Sequence, residues 1–133
     1  MGTICFVILN YKTWREAAAC AESILKTQQG QDIRIVLVDN GSGNGSEESL
    51  REEFAGEKRV HVIASEKNLG FARGNNLGIR YARSHFEPDF IVAANIDIIF
   101  EQEDYCEKLR EIYKEERFDI LGGDIVDASR TRH

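Results

Sequence analysis

Hydrophobic positions in this chain alternate between two rhythms. Ile4 to Leu9 is an unbroken apolar run rich in β-branched residues, which predicts a strand buried on both faces. From Trp14 the spacing changes. Trp14, Ala17, Ala18, Ala21, Ile24 and Leu25 fall on one helical face, and Thr13 stands where it can cap that helix. Ile33 to Val38 predicts a second strand, stopped by the turn-rich run Asp39-Asn40-Gly41-Ser42-Gly43-Asn44-Gly45-Ser46. A short polar helix follows from Ser46 to about Phe54. Val60 to Ala64 predicts a third strand. After a loop from Ser65 to Gly70 comes a helix containing Leu77, Tyr81 and Ala82. Phe90 to Ala94 predicts a fourth strand, ending at Asn95-Ile96-Asp97. Tyr105, Leu109, Ile112 and Tyr113 share a face of a further helix, and Phe118 to Val126 reads as a last strand interrupted by Gly122-Gly123.

Strands alternating with helices predict an α/β domain: a mostly parallel sheet, flanked by helices on both faces. At 133 residues there is room for one such domain, read here as residues 1–127 with a frayed polar tail over 128–133. Ligands of such sheets bind at the carboxyl ends of the strands. Polar residues collect at those ends in this chain: Asn10-Tyr11, Asp39-Asn40, Ser65 to Asn68, and Asn95 to Asp97.

Charge narrows the ligand. Seventeen Lys and Arg against twenty-three Asp and Glu give a net charge of −6, which argues against a nucleic-acid partner. A small phosphate-bearing ligand stays compatible, because a metal ion can supply positive charge locally. No apolar run approaches the roughly 20 residues of a membrane helix, and the N-terminal run lacks the flanks of a signal peptide, so the expected location is cytoplasmic. Cys5, Cys20 and Cys106 show no metal or disulfide spacing and read as apolar fillers. His61, His85, Lys12 and Lys67 read as structural or solvated.

Three constellations can carry chemistry. Asp39 at a strand tip can accept hydrogen bonds from a ribose hydroxyl or a base N–H, and the adjacent Gly41 lets backbone approach a ligand; an Asx-turn that merely ends the strand is the alternative. The run Asn68-Leu69-Gly70-Phe71-Ala72-Arg73-Gly74-Asn75-Asn76-Leu77-Gly78 carries three glycines spaced by four. In a helix each costs about 1 kcal/mol relative to alanine. Close approach to a ligand or to another element would offset that, and Arg73 could meet a phosphate. Asn95 and Asp97 alternate to one side of the fourth strand, where a carboxylate suits Mg²⁺ or Mn²⁺; capping of the next helix is the alternative.

Taken in order and spacing, Ile8-Leu9-Asn10-Tyr11, Val38-Asp39-Asn40-Gly41-Ser42, Asn68 to Arg80 and Asn95-Ile96-Asp97 resemble the family 2 glycosyltransferases of GT-A fold, most closely their rhamnosyltransferase-like bacterial members. The resemblance covers about the whole chain. It implies that Asn10 and Tyr11 lie against a nucleotide, that Asp39 meets its base or ribose with Asn40 also in the nucleotide site, and that the loop from Asn68 to Asn75 wraps the nucleotide and diphosphate, with Arg73 near it. It places the family's D-x-D motif on Asn95-Ile96-Asp97, with Asp97 as ligand to Mg²⁺ or Mn²⁺. Asn95 in place of the first aspartate keeps an oxygen ligand and loses a charge, which implies weak metal binding without nucleotide.

The implied function is inverting transfer of a sugar from a nucleotide-diphospho-sugar, UDP- or dTDP-linked, to a hydroxyl of a saccharide or lipid-linked acceptor. A lipid-linked acceptor is compatible with a membrane-peripheral seat. Family members continue past this length to an acceptor site and a general base, so the chain reads as the nucleotide-sugar half; neither Asp124 nor Asp127 is assigned as the base, and the catalytic residue is unassigned. The alternative is an inactive nucleotide-binding or assembly module, open to self-association. A dinucleotide-dependent dehydrogenase would need a glycine-rich turn after the first strand, where Asn10-Tyr11-Lys12-Thr13-Trp14 stands. A receiver-type signalling module would need acidic residues there.

Overall fold

The computed structural model describes residues 2–94, 96, 99–101 and 103–116. Its elements run β1 (Ile4–Asn10), α1 (Trp14–Thr27), β2 (Ile33–Asn40), α2 (Ser46–Glu53), β3 (Val60–Ser65), α3 (Phe71–Phe86), β4 (Phe90–Ala94) and α4 (Tyr105–Glu116). The sheet has the order β3-β2-β1-β4, with every neighbouring pair parallel. The expected strand over 118–126, with Gly122-Gly123, Asp124, Asp127 and the tail at 128–133, lies outside the described residues, as does the side chain of Ile112.

Strand alternation sorts the core into two layers. Ile4, Phe6 and Ile8 of β1, with Ile33, Ile35 and Leu37 of β2, face α1, α2 and α4. Phe6 anchors that layer, its ring 5.6 Å from Phe100 and 5.8 Å from Tyr105. Two buried polar contacts tie the chain beyond β4 to α1 and its C-cap: Phe100 N–H donates to Ser23 Oγ at 2.8 Å, and Cys106 N–H donates to Gln28 Oε1 at 3.2 Å. The opposite layer is built from smaller residues, Cys5, Val7, Val36 and Val38, against α3.

The thinness of that second layer explains two of the three glycines. A Cβ on Gly74 would lie 2.7 Å from Leu9 Cδ1, and one on Gly78 would lie 2.5 Å from Val7 Cγ1 and 2.8 Å from Val38 Cγ2. They let α3 settle on the sheet, so the element they approach is the β1–β2 surface. Gly70 is not a helical residue. It stands before α3 at φ 86, ψ 170, a region that essentially only glycine occupies. Thr13 also departs from expectation. It occupies the N-cap of α1, but its side chain makes no cap hydrogen bond and turns back to Asn10.

The cysteines are buried as expected, and burial pushes the thiols of Cys5 and Cys106 up to about 12, which leaves them unreactive at neutral pH. Among the described residues no helix is long and apolar enough to cross a membrane.

His61 of β3 packs against Phe86 at 4.8 Å and Tyr81 at 6.1 Å. Burial, with the nearby charges of Arg34 and His85, holds it below the ordinary histidine range. Its proton therefore binds the unfolded chain more readily, and stability is lost as pH falls through the ordinary histidine value toward the lowered one. Denaturation between about pH 7 and about pH 5 should show a shallower acid loss for His61→Phe than for the parent protein. At the helix–sheet contact, Gly78→Ala should destabilise by about 1–2 kcal/mol in urea unfolding, because overpacking outweighs the gain in helix propensity.

Candidate functional site

Parallel register sets Asn10 of β1 beside Asp39 of β2, and Asn40 of β2 beside Ser65 of β3. The carboxyl ends of three strands thus lie side by side with polar side chains on them. β4 ends at Ala94, paired with Ile8, so the chain leaves β4 at this same edge. Ile96 packs against the core. Asn95 and Asp97 lie outside the described residues.

Two hydrogen-bonded clusters order the edge. In the first, Asn10 Nδ2 donates to Asp39 Oδ1 at 2.9 Å, while its Oδ1 accepts from Thr13 N–H at 3.1 Å and Thr13 Oγ1 at 3.3 Å. Ser42 Oγ donates to the same Asp39 Oδ1 at 2.5 Å and accepts the Lys12 N–H at 2.7 Å. Lys12 holds φ 65, a left-handed conformation uncommon for a residue other than glycine, so this bond fixes a strained turn at the tip of β1. Asp39 is only 4% exposed, and among the described residues its hydrogen bonds all fall on Oδ1.

The second cluster is built on Asn40. Its Nδ2 donates to Asn68 Oδ1 at 3.0 Å and Gly70 O at 3.2 Å; its Oδ1 accepts from Leu69 N–H at 3.0 Å and stands 3.3 Å from Ser65 Oγ. Asn68 Oδ1 also accepts the Gly70 N–H at 2.8 Å. Asn40 therefore shapes the loop over 65–70. Gly41 belongs to the same contact: at φ 71, a Cβ there would lie 2.2 Å from the Lys67 carbonyl carbon and 2.5 Å from Asn68 N. The close approach expected of this glycine toward a ligand is made by the neighbouring loop.

A cavity of about 340 Å³ opens beside the first cluster, lined by Asp39, Gly43, Gly45, Glu47 and Glu48. Gly43 and Gly45 both hold positive φ, and Asn44 Oδ1 accepts from the N–H and hydroxyl of Ser46, so the loop curls into the start of α2. Its side chains are carboxylates, which suit a ligand part rich in N–H and O–H donors and repel phosphate.

The α3 end is of opposite character. α1, α2 and α4 each carry acidic residues in the first turn, whereas α3 carries none and places Arg73 there, exposed. A cation beside unsatisfied N–H groups runs against the helix dipole and is relieved by a bound anion. Among the described residues Arg73 has no ion pair. Tyr11 is 41% exposed and Phe71 68% exposed. Asn75 is buried and bonds Phe71 O at 3.2 Å along its own helix.

The expected site residues Asn10, Tyr11, Asp39, Asn40 and Asn68 thus lie at one sheet edge, with Arg73 and Asn75 on the helix that follows β3. Asn10 and Asn40 hold protein atoms. Ser42 was not among the expected residues; its signal was the Asp39-x-x-Ser42 spacing typical of a side chain closing a turn. Among the described residues no group of three or more His, Cys, Asp or Glu side chains could hold a metal ion.

The profile of glycosyl transferase family 2 matches residues 5–133. The chain belongs to this family. It is 35% identical over 104 residues to the glycosyltransferase GlyG of Streptococcus pneumoniae, covering 74% of this chain and 34% of that protein. A low-salt glycan biosynthesis hexosyltransferase of Haloferax volcanii is 27% identical over 113 residues, 85% of this chain and 32% of the other. Among solved structures, S. aureus TarS in complex with UDP-GlcNAc superposes with a TM-score of 0.69 at 16% identity, over 86% of this chain and 32% of TarS. A mannosyltransferase from Pyrobaculum calidifontis, in complex with GDP-Man and Mn²⁺, gives 0.69 at 14% identity over 84% and 32%. The glycosyltransferase domain therefore has the GT-A fold, and this chain spans about a third of the length of these relatives.

Removing the Asn40 side chain should loosen the 65–70 loop before the rest of the fold. In Asn40→Ala, limited proteolysis should cut first within residues 65–70, and global stability should fall by about 2 kcal/mol.

Proposed function

We propose that this chain binds the nucleotide-sugar donor, UDP- or dTDP-linked, of an inverting glycosyltransferase. The observation that carries the reading is the polarity of the edge. A carboxylate-lined cavity at Asp39 suits the donor-rich nucleoside, and the acid-free start of α3 with exposed Arg73 suits the diphosphate. Tyr11, exposed at the tip of β1, would lie against the nucleotide. Nucleotide sugars in the complexes of TarS and the Pyrobaculum mannosyltransferase support the same ligand class.

Asp97, with Asn95, would hold Mg²⁺ or Mn²⁺ at the diphosphate; the exit of β4 at this edge and the Mn²⁺ in the mannosyltransferase complex support that reading. When bound, such an ion supplies Lewis-acid stabilisation of charge on the leaving diphosphate. In the transfer itself an acceptor oxygen, of a saccharide or a lipid-linked sugar, bonds to the anomeric carbon. The bond from that carbon to the diphosphate breaks, nucleoside diphosphate departs on the opposite face, and the hydroxyl proton passes to a general base.

Calorimetric titration of the chain with UDP, dTDP and GDP in the presence of Mn²⁺ tests the reading. One of them should bind, Asp39→Ala should weaken it by about tenfold or more, Arg73→Ala should weaken it in a salt-sensitive way, and Asp97→Ala should remove the dependence on Mn²⁺. Binding of none of the three, or binding indifferent to Asp39→Ala, would overturn it.

A further inference from the structure

Ser42 sits in the turn after β2 and is buried, although a serine in a glycine-rich loop is ordinarily a solvated residue. Its hydroxyl donates to Asp39 Oδ1 and accepts the Lys12 N–H, so it joins two loops that are thirty residues apart in the chain. Asn10 Nδ2 approaches the same Asp39 oxygen. Two donors from different directions on one carboxylate oxygen fix the plane of the group, and with it the direction of the Oδ2 lone pairs, which a single donor would leave free to tilt. The other oxygen, Oδ2, has no hydrogen-bond partner among the described residues, and Asp39 lines the cavity.

We propose that Ser42 is a specificity-positioning residue: with Asn10 it locks the Asp39 carboxylate so that Oδ2 is presented to the cavity, as acceptor for the ring N–H that uracil, thymine and guanine carry and cytosine lacks. This rests on the reading of Asp39 as a nucleoside contact. A carboxylate fixed this way discriminates sharply, because cytosine would set a ring nitrogen lone pair against it and leave both acceptors unpaired. A carboxylate free to rotate would accept from the cytosine amino group as readily, and selectivity would fall.

The test is calorimetry on the whole chain with Mn²⁺ and three probes: UDP, CDP and inorganic pyrophosphate. Ser42→Ala and the near-isosteric Ser42→Cys should each weaken UDP by about tenfold, narrow the UDP-to-CDP ratio, and leave pyrophosphate unchanged. Ser42→Thr, which keeps the hydroxyl, should restore both affinity and ratio. Equal losses for UDP and pyrophosphate would mean a merely structural role and would sink the proposal. So would normal UDP selectivity in Ser42→Cys while Asp39→Ala binds poorly, a result that leaves the nucleoside reading standing. Indifference of UDP binding to Asp39→Ala would remove that reading itself, and the proposal with it.

Discussion

The buried hydrogen bond between Asn10 and Asp39 is the constraint on which the working edge of this domain depends. Parallel pairing of β1 and β2 places the two residues side by side at the ends of their strands. A carboxylate there is almost wholly removed from water and needs donors to hold its charge. Asn10 supplies one from the neighbouring strand and Ser42 another from the following loop. The sheet register therefore dictates the geometry of the site. A one-residue slip between β1 and β2 would turn Asn10 to the opposite face of the sheet from Asp39 and leave a buried charge short of a donor.

The two layers of core serve this edge differently. Large side chains, Phe6 with Phe100 and Tyr105, fill the face covered by α1, α2 and α4 and make it the thicker layer. On the other face Val7, Val36 and Val38 are short, and Gly74 and Gly78 bring α3 down onto them. That descent matters for the site, because the first turn of α3 carries Arg73. Seating α3 close to the sheet brings its N-terminus to the tips of β1 and β2, next to the loop that Asn40 holds.

Much of this was legible in the sequence, because the signals were local. Apolar runs and helical spacing marked the described strands and three of the described helices, α2 being read from a polar run after a turn, and alternation of strand and helix implied the parallel sheet. The polar residues at the strand ends were visible as turn-forming runs. What stayed hidden were contacts between segments far apart in the chain. Asn40 reads as a loop residue of the Asp39-Asn40-Gly41 turn, yet its partners lie almost thirty positions on. Gly41 was read as approaching a ligand, and Gly74 and Gly78 announced close approach without naming the partner; in each case the partner proves to be the protein's own loop or sheet. Ser42 gave only a turn signal, since its link to Lys12 exists only once β1 and β2 are paired. The motif Asn95-Ile96-Asp97 remains a reading of sequence, as two of its three residues lie outside the described ones.

The contact at Gly41 carries a consequence for how a ligand would be received. Its alpha carbon abuts the backbone of Lys67 and Asn68 with no space for a methyl group. The loops after β2 and β3 therefore pack backbone to backbone and form one continuous wall. A guest entering at the Asp39 side would find its walls already standing, and little ordering entropy would be lost there on capture.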